Sequence, residues 1–306
     1  MPRDLPDELA STPFTVAHAR ELGLRQCDLR ALGLHRPTHA VRAAQAPSTV
    51  LERARAWAAA LPADAAFSHV TAAQLLGLPL PGDLEGSVVL DVMRPSDSVA
   101  SRRRGCRGHR GLESREVVTR HGLRVVAGPD TWCDLAGLKE HALSVHDLVV
   151  VGGAVLGSSG DEAGALAAAL AGRCRPRGAV RLAEALALLR PGVRSPMETR
   201  ARLMFVDAGF PEPEVNGAVG DRHGGRLLEG DLVWRDQRVV GEYQGEAHAD
   251  RRRRSADAHR AGIARDEGWT VLELWAEDVL RGPRRRTTLT RFAVALGLDV
   301  RTLRIS

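Results

Sequence analysis

The chain has 306 residues, 44% hydrophobic and 26% charged, with a formal net charge of +5 at pH 7. That length allows two modest domains and an appendage, and the composition is that of an ordinary globular protein. The apolar stretches at 143–156 and 165–171 are too short, or too rich in Gly and Ala, to span a bilayer. The N-terminus lacks the basic-then-apolar layout of a signal peptide, so a cytoplasmic protein without a membrane partner is expected.

Residues 13–42 read as a small helical unit. Phe14-Thr15-Val16-Ala17 leads into a helix that ends at Gly23, a second helix starts at Gln26, and 34–42 resembles an extended hairpin. This is the order of a winged helix-turn-helix, usable for DNA binding or for packing alone. A helix over 50–61 follows, with Arg53 and Arg55 spaced for solvent. Ser68 is then placed to cap a short helix closed by Gly77 and Pro79. His69 in its first turn could be catalytic, but a lone histidine there is more often a packing residue of the cap region.

Residues 87–93 alternate as a strand, Arg102-Arg103-Arg104 is an exposed basic run, and 117–126 forms two strands around His121-Gly122. Cys27, Cys106, Cys133 and Cys174 form no CxxC pair, and Cys106 with His109 is at most half of a zinc site, so neither a disulfide framework nor structural zinc is expected. Pro129 and Asp130 suit a helix entry, 147–156 is apolar and β-branched up to Gly152-Gly153, and 181–189 is a helix closed by Pro191-Gly192. The main boundary is placed there. The predicted organisation is a winged-helix-like unit over 1–45, a mixed α/β middle domain over 46–190, and a C-terminal domain over 191–306. No internal repeat is visible, and the fold class is α/β with α+β character.

The C-terminal domain carries the chemistry. A helix runs from Pro196 to Ala208, opened by Ser195 and ended by Gly209. A strand over 227–234 contains Asp231, a turn follows at Arg235-Asp236-Gln237, and its partner strand over 238–244 contains Glu242. A basic helix over about 251–267 leads to a strand at 270–275. Side chains alternate along a strand, so Val240, Glu242 and Gln244 share one face, and hairpin pairing brings Asp231 beside Glu242. Adjacent carboxylates repel unless a cation lies between them. A hard ion such as Mg²⁺, held by one or two carboxylates and several waters, is the natural occupant.

Five segments in this order resemble the PD-(D/E)xK restriction-endonuclease-like superfamily, especially its very-short-patch-repair branch. They are Ser195-Pro196-Met197-Glu198-Thr199-Arg200, Gly230-Asp231-Leu232-Val233, Val240-Gly241-Glu242-Tyr243-Gln244-Gly245 with His248, Asp257-x-x-Arg260, and Gly268-Trp269-Thr270-Val271-Leu272. The resemblance implies a mixed sheet flanked by helices and a catalytic set of Asp231, Glu242, Gln244, Glu198 and His248. Asp231, Glu242 and Glu198 would ligate Mg²⁺ or Mn²⁺. Arg251, Arg252, Arg253, Arg254 and Arg260 would contact phosphates, although such a run is often a solvated face. Gln244 stands where the superfamily usually carries lysine, and Lys139 is the only lysine in the chain. A capping box with Pro at the first helical position explains Glu198 equally well without chemistry.

The N-terminal part resembles, more faintly, winged-helix antitoxins of the AbiEi type, through residues 14–42 and Ser68-His69-Val70-Thr71-Ala72-Ala73 with Gly77-Leu78. Such a layout is similar to that of many actinobacterial proteins. The expected function is a DNA-binding, metal-dependent endonuclease. The alternatives are an antitoxin-type DNA-binding regulator with a degenerate nuclease fold, and a metal-free interaction module. DNA is the expected partner, and the layout leaves room for a homodimer and for a toxin.

Overall fold

The computed structural model describes residues 5–159, 164–223, 225–244, 259, 261–280 and 282–305. The protein is mixed α/β, and its contacts divide into two units, Met1–Val155 with Ala163–Ala187 and Leu156–Glu162 with Leu188–Ser306. Among the described residues no helix is long and apolar enough to cross a membrane.

In the first unit, β1 (Phe14–Thr15) pairs antiparallel with β2 (Val41–Arg42), and short helices Val16–Glu21 and Gln26–Ala31 lie between them. Thr15 caps the first of these through the His18 amide. The predicted hairpin at 34–42 reduces to a single bridge, His35 with Ala43, because Val41 and Arg42 pair with β1 instead. Phe14, Ala19, Leu24 and Leu29 form the small core of this part.

The larger part of the unit is a five-stranded sheet of β3 (Ala66–Phe67), β4 (Leu90–Arg94), β5 (Cys106–Arg110), β6 (Val117–Arg120) and β7 (Leu123–Val126), in the order β5-β4-β3-β7-β6. β3–β7 and β4–β5 are parallel, whereas β3–β4 and β6–β7 are antiparallel. His121 and Gly122 both take positive φ, 53° and 77°, the backbone that a tight two-residue hairpin requires. Phe67, Val92, Met93 and Val125 meet Trp57 and Leu75 in the core. Residues 147–156, despite their β-branched run, belong to the helix Val145–Ser159. Ser68 differs from its expected capping role: its side chain makes no cap bond and instead faces His69 Nδ1 at 3.1 Å.

The second unit is built on a four-stranded sheet of β8 (Glu214–Gly220), β9 (Arg226–Trp234), β10 (Val239–Tyr243) and β11 (Thr270–Leu274), in the order β11-β10-β9-β8. Only β10–β11 is parallel. Alternation along β9 and β10 gives the sheet two apolar faces. Leu232, Trp234 and Val239 pack with Phe205 of the helix Pro196–Ala208 and Phe292 of the helix Pro283–Ala295. Val233 and Val240 pack on the other side with Val219, Ala264 and Trp269. Helices thus cover both faces, and the polar residues discussed next lie where the β9–β10 ladder ends.

Candidate functional site

Ser195 opens the helix Pro196–Ala208, its Oγ accepting the Glu198 N–H at 3.1 Å, with Pro196 in the first turn. This is half of a capping box. The Glu198 side chain does not return to Ser195; its Oε2 accepts from the Arg194 N–H at 3.0 Å and from Asn216 Nδ2 at 2.9 Å. Glu198 is only 8% exposed, so these bonds hold it in one place. Asn216 lies inside β8 yet has φ of 49°, a left-handed backbone that asparagine tolerates better than most residues. Its Nδ2 also donates to the Gly192 carbonyl at 2.7 Å. One amide therefore ties the start of the helix to the sheet.

Asp231 occupies β9 directly opposite that irregularity, because β8 and β9 pair Val215 with Leu232 and Gly217 with Gly230. On its other side, β10 pairs with β9 as far as Gly241 with Leu232, a register that carries Glu242 opposite Asp231. The ladder stops there, and the Asp231 carboxylate takes over from the backbone: Oδ2 accepts the Tyr243 N–H at 2.7 Å. Gly230 is required beside it. A Cβ on Gly230 would stand 2.5 Å from Val240 Cγ1, 2.9 Å from Val233 Cγ2 and 3.6 Å from Glu242 Oε1. Gly230 and Val233 thus face the same side although three residues apart, so strand alternation slips between them, and the Glu242 carboxylate lies over the glycine.

Electrostatics single out Asp231. Burial raises its pKa above the ordinary value, and the carboxylates of Glu198 and Glu229 raise it further. The Tyr243 N–H and Arg194 oppose the shift without cancelling it. Arg194 and Arg226 both form ion pairs with Glu229. Excess negative charge in a half-buried place is what a bound cation would relieve.

The predicted residues are gathered unevenly. Asp231 and Glu242 both stand where the β9–β10 ladder ends, and Glu198 is near enough to act on Asp231 electrostatically. Gln244 leaves β10 with its backbone N–H on the Leu274 carbonyl at 2.7 Å, and by alternation its side chain shares the face of Glu242. Among the described residues no three His, Cys, Asp or Glu side chains close into a metal cage. The donor set still fits a hard divalent ion bound mainly through water, since such ions need only one or two carboxylates. Asp231 Oδ1 and Glu198 Oε1 are not committed to a protein donor among the described residues. His248, Arg251, Arg252, Arg253, Arg254 and Arg260 lie outside the described residues.

Asn216 and Arg194 escaped the sequence reading. Val215-Asn216-Gly217 has the look of a turn, which hid the strand containing it. Arg194 precedes the cap and had no pattern to belong to.

No family model matches the sequence, and no solved structure matches it significantly. Two uncharacterized proteins from two strains of Mycobacterium tuberculosis are each 34% identical to it over 110 residues, 36% of this chain and 40% of theirs. The chain therefore matches well under half the length of these relatives.

Proposed function

We propose that the second unit carries a divalent-metal-dependent phosphodiesterase site of endonuclease type, on a restriction-endonuclease-like sheet, and that the protein acts on DNA bound through a winged-helix-like N-terminal region. The observation that carries this reading is the placement of Asp231 and Glu242 just where the β9–β10 ladder ends, with the Asp231 pKa raised by burial and by Glu198 and Glu229. Asp231 and Glu242 would hold Mg²⁺ or Mn²⁺, with Glu198 reaching it through water. When bound, the ion would supply Lewis acidity toward a phosphodiester and toward an attacking water. The chain's own residues then have distinct parts. The Tyr243 N–H fixes one oxygen of Asp231, and Asn216 and the Arg194 N–H fix Glu198. Gln244 would offer a phosphate oxygen a neutral amide hydrogen bond, a weaker stabiliser of developing charge than the lysine of the resembling superfamily.

The test is nicking of supercoiled plasmid, with single-stranded DNA and RNA in parallel, by the full chain in Mg²⁺ or Mn²⁺. Wild type should cut, and Asp231→Ala should lose about 100-fold or more, since even outer-shell changes at metal sites cost ~10–100-fold. Intact substrates in every combination would reject catalysis. A second reading, a DNA-binding regulator of antitoxin type with a non-catalytic nuclease fold, is favoured by Gln244 in place of lysine and by the lack of a three-acid cage among the described residues. It calls for salt-sensitive DNA binding with no cutting and no Mn²⁺ uptake.

A further inference from the structure

The helix Pro283–Ala295 carries four arginines and no acidic residue. Its inner face is committed to the fold, since Leu289, Phe292 and Ala293 are buried in the core beneath the four-stranded sheet. At 3.6 residues per turn, Arg286, Thr290, Val294, Thr287 and Arg291 follow one another across an arc of about 140° on the outer side. The two arginines stand at the borders of that stripe, and the valine lies between them.

These five residues, together with Leu272 of β11, line an open groove of about 540 Å³. β11 is an edge strand, bonded to β10 alone, and its half-buried Leu272 forms the apolar wall. On the helix side the hydroxyls are turned inward. Thr287 Oγ1 donates to the Pro283 carbonyl at 3.5 Å, and Thr290 Oγ1 donates to the Arg286 carbonyl at 2.9 Å. The guanidiniums are the donors left for an occupant.

The arginines of this helix differ in their partners. Arg284 is held by Asp278 at 3.1 Å and by Glu277 at 3.6 Å. The guanidiniums of Arg286 and Arg291, both residues exposed, have no ion pair and no hydrogen bond among the described residues. A free surface cation is common and says little alone. Here two of them border one groove, no carboxylate lines it, and Val294 stands 71% exposed between them. The groove suits an anionic chain with an apolar part to lie over Val294 and Leu272. A nucleic-acid strand has both, phosphates for the guanidiniums and the carbon face of its sugars for the wall. The planar fork of a guanidinium also matches phosphate oxygens in a way that an ammonium does not.

The register places this groove beside the proposed metal centre. β10 and β11 pair Gly241 with Leu272 and Glu242 with Glu273. With strands ~4.8 Å apart and residues ~3.3 Å apart along them, the backbone of Leu272 lies about 6 Å from that of Glu242. We propose that Arg286 and Arg291 bind the phosphodiester backbone of duplex DNA in this groove, giving the second unit a grip of its own. The proposal rests on the reading of that unit as a nucleic-acid site. Such contacts set position and carry no sequence information.

The test is fluorescence anisotropy of a labelled DNA duplex with the full chain, in EDTA so that nothing is cut, over a range of salt. Each phosphate contact contributes about 0.9 to the steepness of log K against log salt, so Arg286→Gln with Arg291→Gln should lower it by about 1.8, and either alone by about half of that. Arg284→Gln should leave the slope as it was, because that guanidinium is already occupied. Val294→Glu should bind about tenfold more weakly than Val294→Gln, since the added charge would face phosphate. Arg284, Arg286, Arg291 and Val294 are all exposed, and an unchanged melting temperature verifies that each variant is folded. A slope unmoved in the double variant, an equal fall in Arg284→Gln, or no binding of duplex by wild type overturns the proposal. Asp231→Ala separates it from the catalytic reading, because that variant should lose nicking and keep the wild-type slope. Nicking that depends on Asp231 beside an unmoved slope rejects the groove alone. A lowered slope beside a wild type that never nicks rejects catalysis alone.

Discussion

At the scale of single residues, Asp231 is a liability to the fold. Its pKa is raised first by burial, then by Glu198 and Glu229, against the opposing Tyr243 N–H and Arg194. A carboxyl whose pKa is higher folded than unfolded binds its proton more tightly in the folded state, so it lowers stability once pH exceeds the unfolded value, and protonation removes that penalty. Asp231→Asn keeps an oxygen for the Tyr243 N–H and loses the charge. It should raise unfolding free energy at pH 7 by on the order of 1 kcal/mol, seen as a higher melting temperature, as relief of a functional residue commonly does, with the gain vanishing in acid. Mn²⁺ uptake should disappear in the same variant. A variant less stable than wild type at pH 7 would mean that the carboxylate is already compensated. In wild type, Mn²⁺ affinity should begin to fall at a higher pH than an ordinary aspartate would give, because the proton competes for the ligand. Gln244 supports the complementary substitution: Gln244→Lys should raise nicking roughly tenfold or more at unchanged Mn²⁺ affinity, since a charged donor near the phosphate stabilises developing charge better than an amide.

At the scale of elements, the close approach of β9 and β10 rests on the missing side chain of Gly230. An alanine there would set its Cβ 2.5 Å from Val240 Cγ1 and 2.9 Å from Val233 Cγ2. Overpacking of this kind costs ~1–3 kcal/mol, so denaturant unfolding of Gly230→Ala should show that loss. Val240→Ala in the same chain should recover part of it, a coupling that a double-mutant cycle isolates. The hairpin was legible in the sequence because its two strands alternate around a polar turn, and so were Asp231, Glu242 and the helix Pro196–Ala208 with its serine start and glycine stop. Other elements were not. β8 was hidden by Asn216-Gly217, whose turn chemistry serves here to bend a strand toward Glu198. The helix Pro283–Ala295 opens with three arginines, which mask the apolar face that Leu289, Phe292 and Ala293 bury. Residues 148–151 look like a strand by composition, yet they are buried in a helix, since a difference of well under 1 kcal/mol per residue in helix propensity yields to burial. The hydrogen bond between Asp91 and His109 could not be read at all, because it depends on β4 and β5 becoming parallel neighbours.

At the scale of the whole molecule, the proposed metal site belongs to one of two units, each with its own apolar core. Phe67, Val92 and Val125 centre one, and Phe205, Trp234 and Phe292 centre another. A ligand that binds only the folded form stabilises it by RT ln(1 + [L]/Kd), about 2.7 kcal/mol at a hundredfold excess over Kd. That stabilisation should appear in the elements that unfold together with the site. Hydrogen exchange on the full chain therefore gives a spatial readout. Mn²⁺ at a hundred times its Kd should slow exchange in β9 and β10, the Tyr243 amide above all, by up to about 100-fold, and leave β3, β4 and β7 as they were. Protection spread evenly over both sheets under Mn²⁺ would show one cooperative body in place of two. Protection of the five-stranded sheet by Mn²⁺ would place the metal on the wrong unit.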